Sequence, residues 1–298
     1  MSNQENEIQV VFLVGAARSG TKLLRTILSQ SDMIGSIPYD MNYIWKYGHY
    51  DLSHDEMNDI TPTQKEIEFI RNYIFKQAKK QNKSIIVEKT VSNTLRVDYL
   101  KKIFPDGKII HLYRDGRDVA LSAKQRWEGS LFDKEQQSKK EIVQKIIDLP
   151  LFAVLPYLLE YINNNIKHLL SKTSQHVETW GPIYKGMQED KNKFDLLTLC
   201  AMQWNKSVES TMNSLNHYTK DTDFIKIQYE KLIEDTSSQI DILEKFLHIS
   251  DAEKLRDYAH NNIKKTSKHK WKKENKDTIS LLENIIDINL KKLNYAID

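Results

Sequence analysis

Apolar positions along the chain fall into two alternating patterns. Short apolar runs occur at Gln9–Val14, Ser84–Val87, Lys108–Tyr113 and Phe224–Gln228. Runs of this kind suit strands buried on both faces of a parallel sheet. Each leads to a stretch with helical spacing: Thr21–Leu28, Leu95–Phe104, Gly116–Trp127 and Ile240–Leu247. The tail, Asp277–Leu293, repeats the helical spacing with Ile279, Leu282, Ile285, Ile286 and Leu293. Strand–helix alternation predicts an α/β fold of three layers, α/β/α, around a central parallel sheet. From Ser138 to Ser214 no strand pattern occurs. The expectation is therefore a helical insertion over about 128–214, between the third and fourth of these strands. No internal repeat, low-complexity tract or Gly/Ser linker breaks the chain, which predicts a single domain over 1–298.

Composition narrows the function classes. The chain has 298 residues, 40% of them hydrophobic, with 44 basic against 41 acidic side chains. That near-balance argues against a nucleic-acid partner, although a local basic patch is compatible with it. A single cysteine, Cys200, permits no intrachain disulfide and no cysteine-based metal site, and suits a reducing compartment. The first residues, MSNQENEIQ, are polar and do not resemble a signal or transit peptide. No apolar run approaches the roughly 18 residues needed to span a bilayer. The longest apolar-rich stretch, Leu149–Leu159, contains Pro150 and Pro156 and reads as a packed helical hairpin. The expectation is a soluble cytoplasmic protein with no membrane partner.

The chemistry starts in VFLVGAARSGTKLLRTIL, Val11–Leu28. Gly15-Ala16-Ala17-Arg18-Ser19-Gly20-Thr21-Lys22 is nearly the phosphate-loop signature G-x-x-x-x-G-K-[ST], with the Lys and Thr exchanged. A strand ending at Gly15 and a helix starting near Gly20 would aim backbone N–H groups and a helix dipole at one anion. Gly15 and Gly20 permit the backbone path, Ser19 and Thr21 add hydroxyls, and Arg18 and Lys22 add charge. In an ATP-binding loop the residue after the Lys holds Mg²⁺. Here that residue is Leu23, so the loop is P-loop-like for phosphate yet has no metal seat. Glu88, after Ile85–Val87, is a carboxylate that could imitate a metal-holding one.

The run R-S-G-T-K-L resembles the 5′-phosphosulfate loop of sulfotransferases that use 3′-phosphoadenosine 5′-phosphosulfate (PAPS). That resemblance implies donor contacts from Gly15, Ala17, Arg18, Ser19, Gly20, Thr21 and Lys22, with no metal required. KIIHLYRDGRDVALSAKQRW, Lys108–Trp127, is similar to the 3′-phosphate site of the same family. There an Arg closes a strand and a Ser follows eight positions on; here these are Arg114 and Ser122. A guanidinium fork and a hydroxyl at a helix start suit a dianionic phosphate. Arg117 or Arg126 would assist, while Asp115 and Asp118 would hold the loop and the helix start. EKTVSNTLRVDYLKKIFPDGKIIHLYRD resembles the connecting segment of Golgi-type and related bacterial sulfotransferases. CAMQWNKSVES and FIKIQYEKLIEDTSSQIDILEKFLHI resemble the later part of protein-tyrosine sulfotransferases and their bacterial relatives, which implies that Tyr229 contacts the nucleotide. Glu128–Phe194 matches nothing in the family.

The resemblance also implies roles in transfer. Arg18 and Lys89 are the cations for the transferring group and the bridging oxygen. Cytosolic phenol-type members carry a His two residues beyond the Lys; this chain has Val91. The Golgi-type and bacterial branch uses a Glu in a P-x-E pattern. Ile37-Pro38-Tyr39-Asp40 puts Asp40 in that slot, one methylene shorter, as the base. His49, His54 and Asp55 are reserves. The surrounding PYDMNYIWKYGHYDLSHDE suits a sugar or cationic small molecule, or is simply core. A C-terminal Lys would close over the 3′ phosphate, here Lys268 or Lys270; Trp271 either stacks or packs. Animal tyrosine sulfotransferases are membrane-anchored and disulfide-bonded, so the expected acceptor is a glycan or small metabolite rather than a protein tyrosine. Two other readings stay open: an ATP- and Mg²⁺-dependent kinase or NTPase, and a noncatalytic nucleotide-binding module.

Overall fold

The computed structural model describes residues 8–128, 144, 147, 148, 150, 180–263 and 268–297. Among these residues, five parallel strands form one sheet: β1 (Gln9–Val14), β2 (Ile34–Ser36), β3 (Ile85–Glu88), β4 (Lys108–Tyr113) and β5 (Phe224–Gln228), in the order β2-β3-β1-β4-β5. Val11 pairs with Val87, Leu13 with Ile110, and Tyr113 with Gln228.

Period-two alternation sends β1 side chains to two cores. Val10, Phe12 and Val14 join one cluster, to which α2 (Asn42–Trp45), α3 (Gln64–Gln81) and α4 (Val97–Ile103) contribute. Val11 and Leu13 join the other, filled from the opposite face by α1 (Thr21–Leu28) and three later helices. These are α8 (Tyr229–Glu234), α9 (Thr236–Leu247) and α10 (Ala252–Asn262). Both sheet faces are covered, as an all-parallel sheet requires, giving the α/β layering expected. A third cluster joins α5 (Gly116–Trp127), α7 (Leu196–Leu215) and α11 (Lys276–Lys292); the short α6 (Met187–Lys191) adds Met187 to it.

β1, α1, β4, α5 and β5 keep the boundaries read from the sequence. Other elements differ, among them α9 and α11, which start at Thr236 and Lys276 rather than at Ile240 and Asp277. β2 is three residues long and contains Gly35 and Ser36, so it has no apolar run to reveal it. β3 is displaced by one residue to include Glu88, a buried charge that hydropathy reads as an end. The helix expected over Leu95–Phe104 is shorter, preceded by a 3₁₀ turn over Val91–Leu95. α3, with 18 residues, was not anticipated, although Thr63 and Glu66 form the capping box that announces it. Within the expected insertion, α7 is a 20-residue helix. Leu149, the stretch 151–179 and most of Glu128–Pro150 lie outside the described residues. Among the described residues, no helix is long and apolar enough to cross a membrane.

Candidate functional site

The C-terminal ends of β1, β3, β4 and β5 lie side by side, and the residues that follow each strand build the site. After β1, Gly15 lies against β4: a Cβ there would stand 2.5 Å from the Leu112 carbonyl oxygen, so the approach requires glycine. The turn is closed by Ser19 N–H donating to the Ala16 carbonyl at 3.1 Å. Arg18 and Gly20 take left-handed conformations, with φ 72° and 93°. For an arginine this costs energy and is kept only where surroundings enforce it. Here Arg18 Nε donates to Ser122 Oγ at 3.0 Å, and its carbonyl accepts from Arg114 Nη1 at 3.2 Å. A side chain on Gly20 would collide with the Tyr229 ring, at 2.5 Å. The start of α1 has no side-chain cap and no acidic residue in its first turn, so its positive dipole end is suited to an anion. The Ser19 hydroxyl is buried and has no hydrogen-bond partner among the described residues.

α5 starts differently. Asp115 caps it by accepting from Arg117 N–H at 3.0 Å, and Asp118 stands in its first turn. An anion at this end must therefore be met by side chains rather than by the helix dipole. Arg114, directly after β4, donates from Nη2 to Asp118 at 3.0 Å and lies over the Tyr229 ring, 4.5 Å from its centre. Asp118 also accepts from Trp271 N–H at 3.0 Å. Arg117 turns away from this side and pairs with Asp115 at 2.8 Å and Glu283 at 2.5 Å. Trp271 is buried beneath its guanidinium, 3.5 Å away, so the tryptophan packs rather than presenting a stacking face.

Beyond β3, Lys89 Nζ donates to Asp40 Oδ1 at 2.6 Å. Lys89 is mostly covered, whereas the Asp40 side chain is 38% exposed. The turn carrying Asp40 is fastened twice. Arg25 Nη1 donates to the Pro38 carbonyl at 2.5 Å, and Met41 N–H donates to Thr90 Oγ1 at 2.9 Å. Thr90 in turn donates to Glu88 at 2.5 Å, and Asn93 donates to its second oxygen at 2.6 Å. Burial pushes the Glu88 carboxyl up to about 7, against the opposing bond from Thr90. Glu88 is thus an internal tie and not a metal-holding carboxylate at the surface. Among the described residues, no three His, Cys, Asp or Glu side chains gather as metal ligands would.

Together these groups line a cleft of about 700 Å³. The β1–α1 loop contributes Ala17, Arg18, Gly20, Thr21 and Lys22. Asp40 and Lys89 face the same space, as do Arg114, Ser122, Arg126, Tyr229 and Lys270. Gly15 and Ser19 lie behind the loop and do not line it. Ser122 sits mid-helix in α5, not at its start. Among the described residues, seven basic and three acidic side chains border the cleft, a balance that suits a polyanion. Sequence reasoning missed Arg25, Leu121, Gln125, Trp180, Gly181 and Glu274 on its walls. Leu121 and Gln125 share the helical face of Asp118 and Ser122, a spacing that could have found them. Trp180 and Gly181 carry no such signal.

The reserve residues lie elsewhere. His49 faces Glu66 at 3.4 Å. Asp55 is buried with Asn42 and Ser92 donating to it. Burial alone would raise its carboxyl, but Arg96 and these donors hold it below the usual range. His49, His54 and Asp55 do not line the cleft. Of the aromatic stretch, Tyr43 and Trp45 are core and Tyr47 stacks on Phe69 at 3.9 Å. Tyr39 reaches the cleft wall, with its hydroxyl bonded to Asp148 at 2.8 Å. Lys268 pairs with Glu234.

Residues 10–148 match the sulfotransferase family. The fold is similar to the sulfotransferase domain of the curacin biosynthetic pathway, with a TM-score of 0.56 at 15% identity over 98% of this chain and 99% of that one. It is similar to the sulfotransferase domain of the Synechococcus PCC 7002 olefin synthase, with 0.52 at 15% over 93% and 94%. Sulfotransferase STF9 from Mycobacterium avium gives 0.53 at 12% over 98% and 78%. At such identities the likeness is one of fold. No curated protein matches the chain.

Proposed function

We propose that the protein moves a sulfuryl group from PAPS to a glycan or small-molecule acceptor, a reading supported by the match of residues 10–148 to the sulfotransferase family and by a fold similar to that of sulfotransferase domains. The reaction releases 3′,5′-ADP, and the whole chain acts as one catalytic unit in the cytoplasm. The observation that carries this reading is the pairing of two anion-holding groups in one cleft: the β1–α1 loop, and Arg114 with Ser122 on the next strand unit. An ATP site needs the first; a nucleotide with an additional 3′ phosphate needs both. Leu23, after the loop Lys22, offers no oxygen to Mg²⁺.

In this reading, Gly20, Thr21 and Lys22 hold the 5′ phosphosulfate at the start of α1. Arg114, Ser122, Arg126 and Lys270 hold the 3′ phosphate, and Tyr229 packs between the two groups. The acceptor oxygen or nitrogen attacks sulfur, the bond from sulfur to the bridging phosphate oxygen breaks, and that oxygen keeps the electron pair. Asp40 takes the acceptor proton, while Arg18 and Lys89 stabilise charge on the transferring group and leaving oxygen. Asp40 uses one acceptor site for Lys89, and an ionised carboxylate has about four, so it can meet both Lys89 and an acceptor.

Calorimetry with 3′,5′-ADP and ATP, each with and without Mg²⁺, tests the donor assignment. Tight, metal-independent binding of 3′,5′-ADP with weaker ATP binding is the expected result. Preference for ATP–Mg²⁺ would replace this reading with a kinase or NTPase. Labelled PAPS presented with a glycan and metabolite panel then identifies the acceptor, and EDTA leaves that turnover intact.

Lys89→Ala provides a separate expectation. Charge on the leaving oxygen grows in the transition state, so turnover falls while 3′,5′-ADP affinity barely changes. Unchanged turnover with a raised donor KM would make Lys89 a binding residue only.

A further inference from the structure

The C-terminal residues reach back to the strand end that carries Arg114. Tyr295, 9% exposed, donates its hydroxyl to Glu230 Oε2 at 2.7 Å. The other oxygen, Glu230 Oε1, accepts from Asp115 N–H at 3.1 Å. Glu230 is next to Tyr229, and Asp115 is next to Arg114. One carboxylate therefore bridges the two backbones whose preceding side chains form the stacked Arg114–Tyr229 pair. A second tie runs in parallel: Arg117 Nη2 donates to the Ala296 carbonyl at 3.0 Å while its guanidinium covers Trp271, whose N–H holds Asp118. Asp118 then completes the circuit to Arg114. All these contacts outside the Arg114–Asp118 turn come from beyond the segment 10–148 that matches the family.

We propose that Tyr295 and Glu230 are positioning residues for the 3′-phosphate side of the cleft, with the C-terminal residues acting as a strap that fixes Arg114 against Tyr229. The inference rests on the reading of Arg114 as the 3′-phosphate ligand. An arginine side chain has many rotamers, and a site that holds it in advance avoids that ordering cost on binding. Glu230 supplies the rigidity because it is buried and satisfied at both oxygens. Removal of the Tyr295 hydroxyl leaves a buried carboxylate short of a donor, and it shifts or recruits another partner.

The test is calorimetry of 3′,5′-ADP and 5′-AMP on Tyr295→Phe, Glu230→Gln, Glu230→Ala and Arg114→Ala. Tyr295→Phe and Glu230→Ala are expected to weaken 3′,5′-ADP by roughly tenfold while leaving 5′-AMP unchanged. Glu230→Gln keeps an acceptor for Asp115 N–H and an amide for the Tyr295 hydroxyl, and should bind 3′,5′-ADP nearly as the parent does. Equal losses for both nucleotides, or an undiminished 3′,5′-ADP affinity in Tyr295→Phe, overturn the strap. If Arg114→Ala loses 3′,5′-ADP selectively and Tyr295→Phe does not, the strap alone fails. If Arg114→Ala shows no selectivity either, the 3′-phosphate assignment fails and takes the strap with it.

Discussion

If Asp40 is the base, Asp40→Asn is expected to lower turnover by about 10²-fold or more, the range a general base contributes, while leaving the fold and 3′,5′-ADP affinity in place. The amide keeps shape and polarity at a position whose side chain is 38% exposed. It can still accept from Lys89, but it cannot take a proton from the acceptor. The acid limb of the pH–rate profile flattens, because the group that must be deprotonated is gone. Asp40→Glu retains part of the activity, since the family resemblance offers Glu in this slot. The measurement is a pH–rate series on the acceptor identified with labelled PAPS, run alongside His49→Ala and His54→Ala. Those histidines do not line the cleft, and both variants should follow the parent. Parent-like turnover in Asp40→Asn with a loss in either histidine variant would reduce Pro38-Tyr39-Asp40 to a structural turn.

Arg114→Ala is expected to weaken 3′,5′-ADP by about 2–5 kcal/mol, the cost of removing one partner from a buried hydrogen-bonded charge pair. That corresponds to about 30-fold or more in Kd. 5′-AMP, lacking the second phosphate, binds nearly as before. Arg114→Lys restores charge without the guanidinium fork or its stacking on Tyr229, and should fall between the two. Isothermal titration with both nucleotides reads the difference. An equal loss for each would mean that Arg114 supports the cleft generally, through its bond to the Arg18 carbonyl.

The parts of the fold that were legible in the sequence are those in which one local signal dominates. β1, β4 and β5 are apolar runs with turn residues behind them, and α1 and α5 follow directly. β2 was illegible because Ile34-Gly35-Ser36 is a strand only by virtue of its neighbour β3. Glu88 was misread for a related reason. Its burial is made tolerable by Thr90 and Asn93, and such compensation exists only once the chain is folded. Within the site, the loop and the Arg114–Ser122 spacing announced themselves as motifs. Trp180 and Gly181 could not, because their place on the wall depends on Gln203 of α7 donating to the carbonyls of Trp180 and Pro182. Arg117 shows the converse error. Its charge and position suited a phosphate, yet Glu283 and the Ala296 carbonyl, far along the chain, claim it.

The strand order has a kinetic consequence. β1 sits at the centre of the sheet, and its partners β3 and β4 lie far along the chain, with β5 further still. Pairings between distant segments carry loop-closure entropy before any contact offsets it, so sheets of this topology fold slowly. Arg18, Lys89, Arg114 and Tyr229 each follow a different strand, and no subset of two strands holds them all. Bringing these four together therefore requires β1, β3, β4 and β5 to be paired, and we expect that pairing to be finished only after the main barrier to folding. 3′,5′-ADP at one hundred times its Kd would stabilise the native state by about 2.7 kcal/mol. That gain appears as slower unfolding and leaves the refolding rate unchanged, because the ligand has nothing to hold in the transition state.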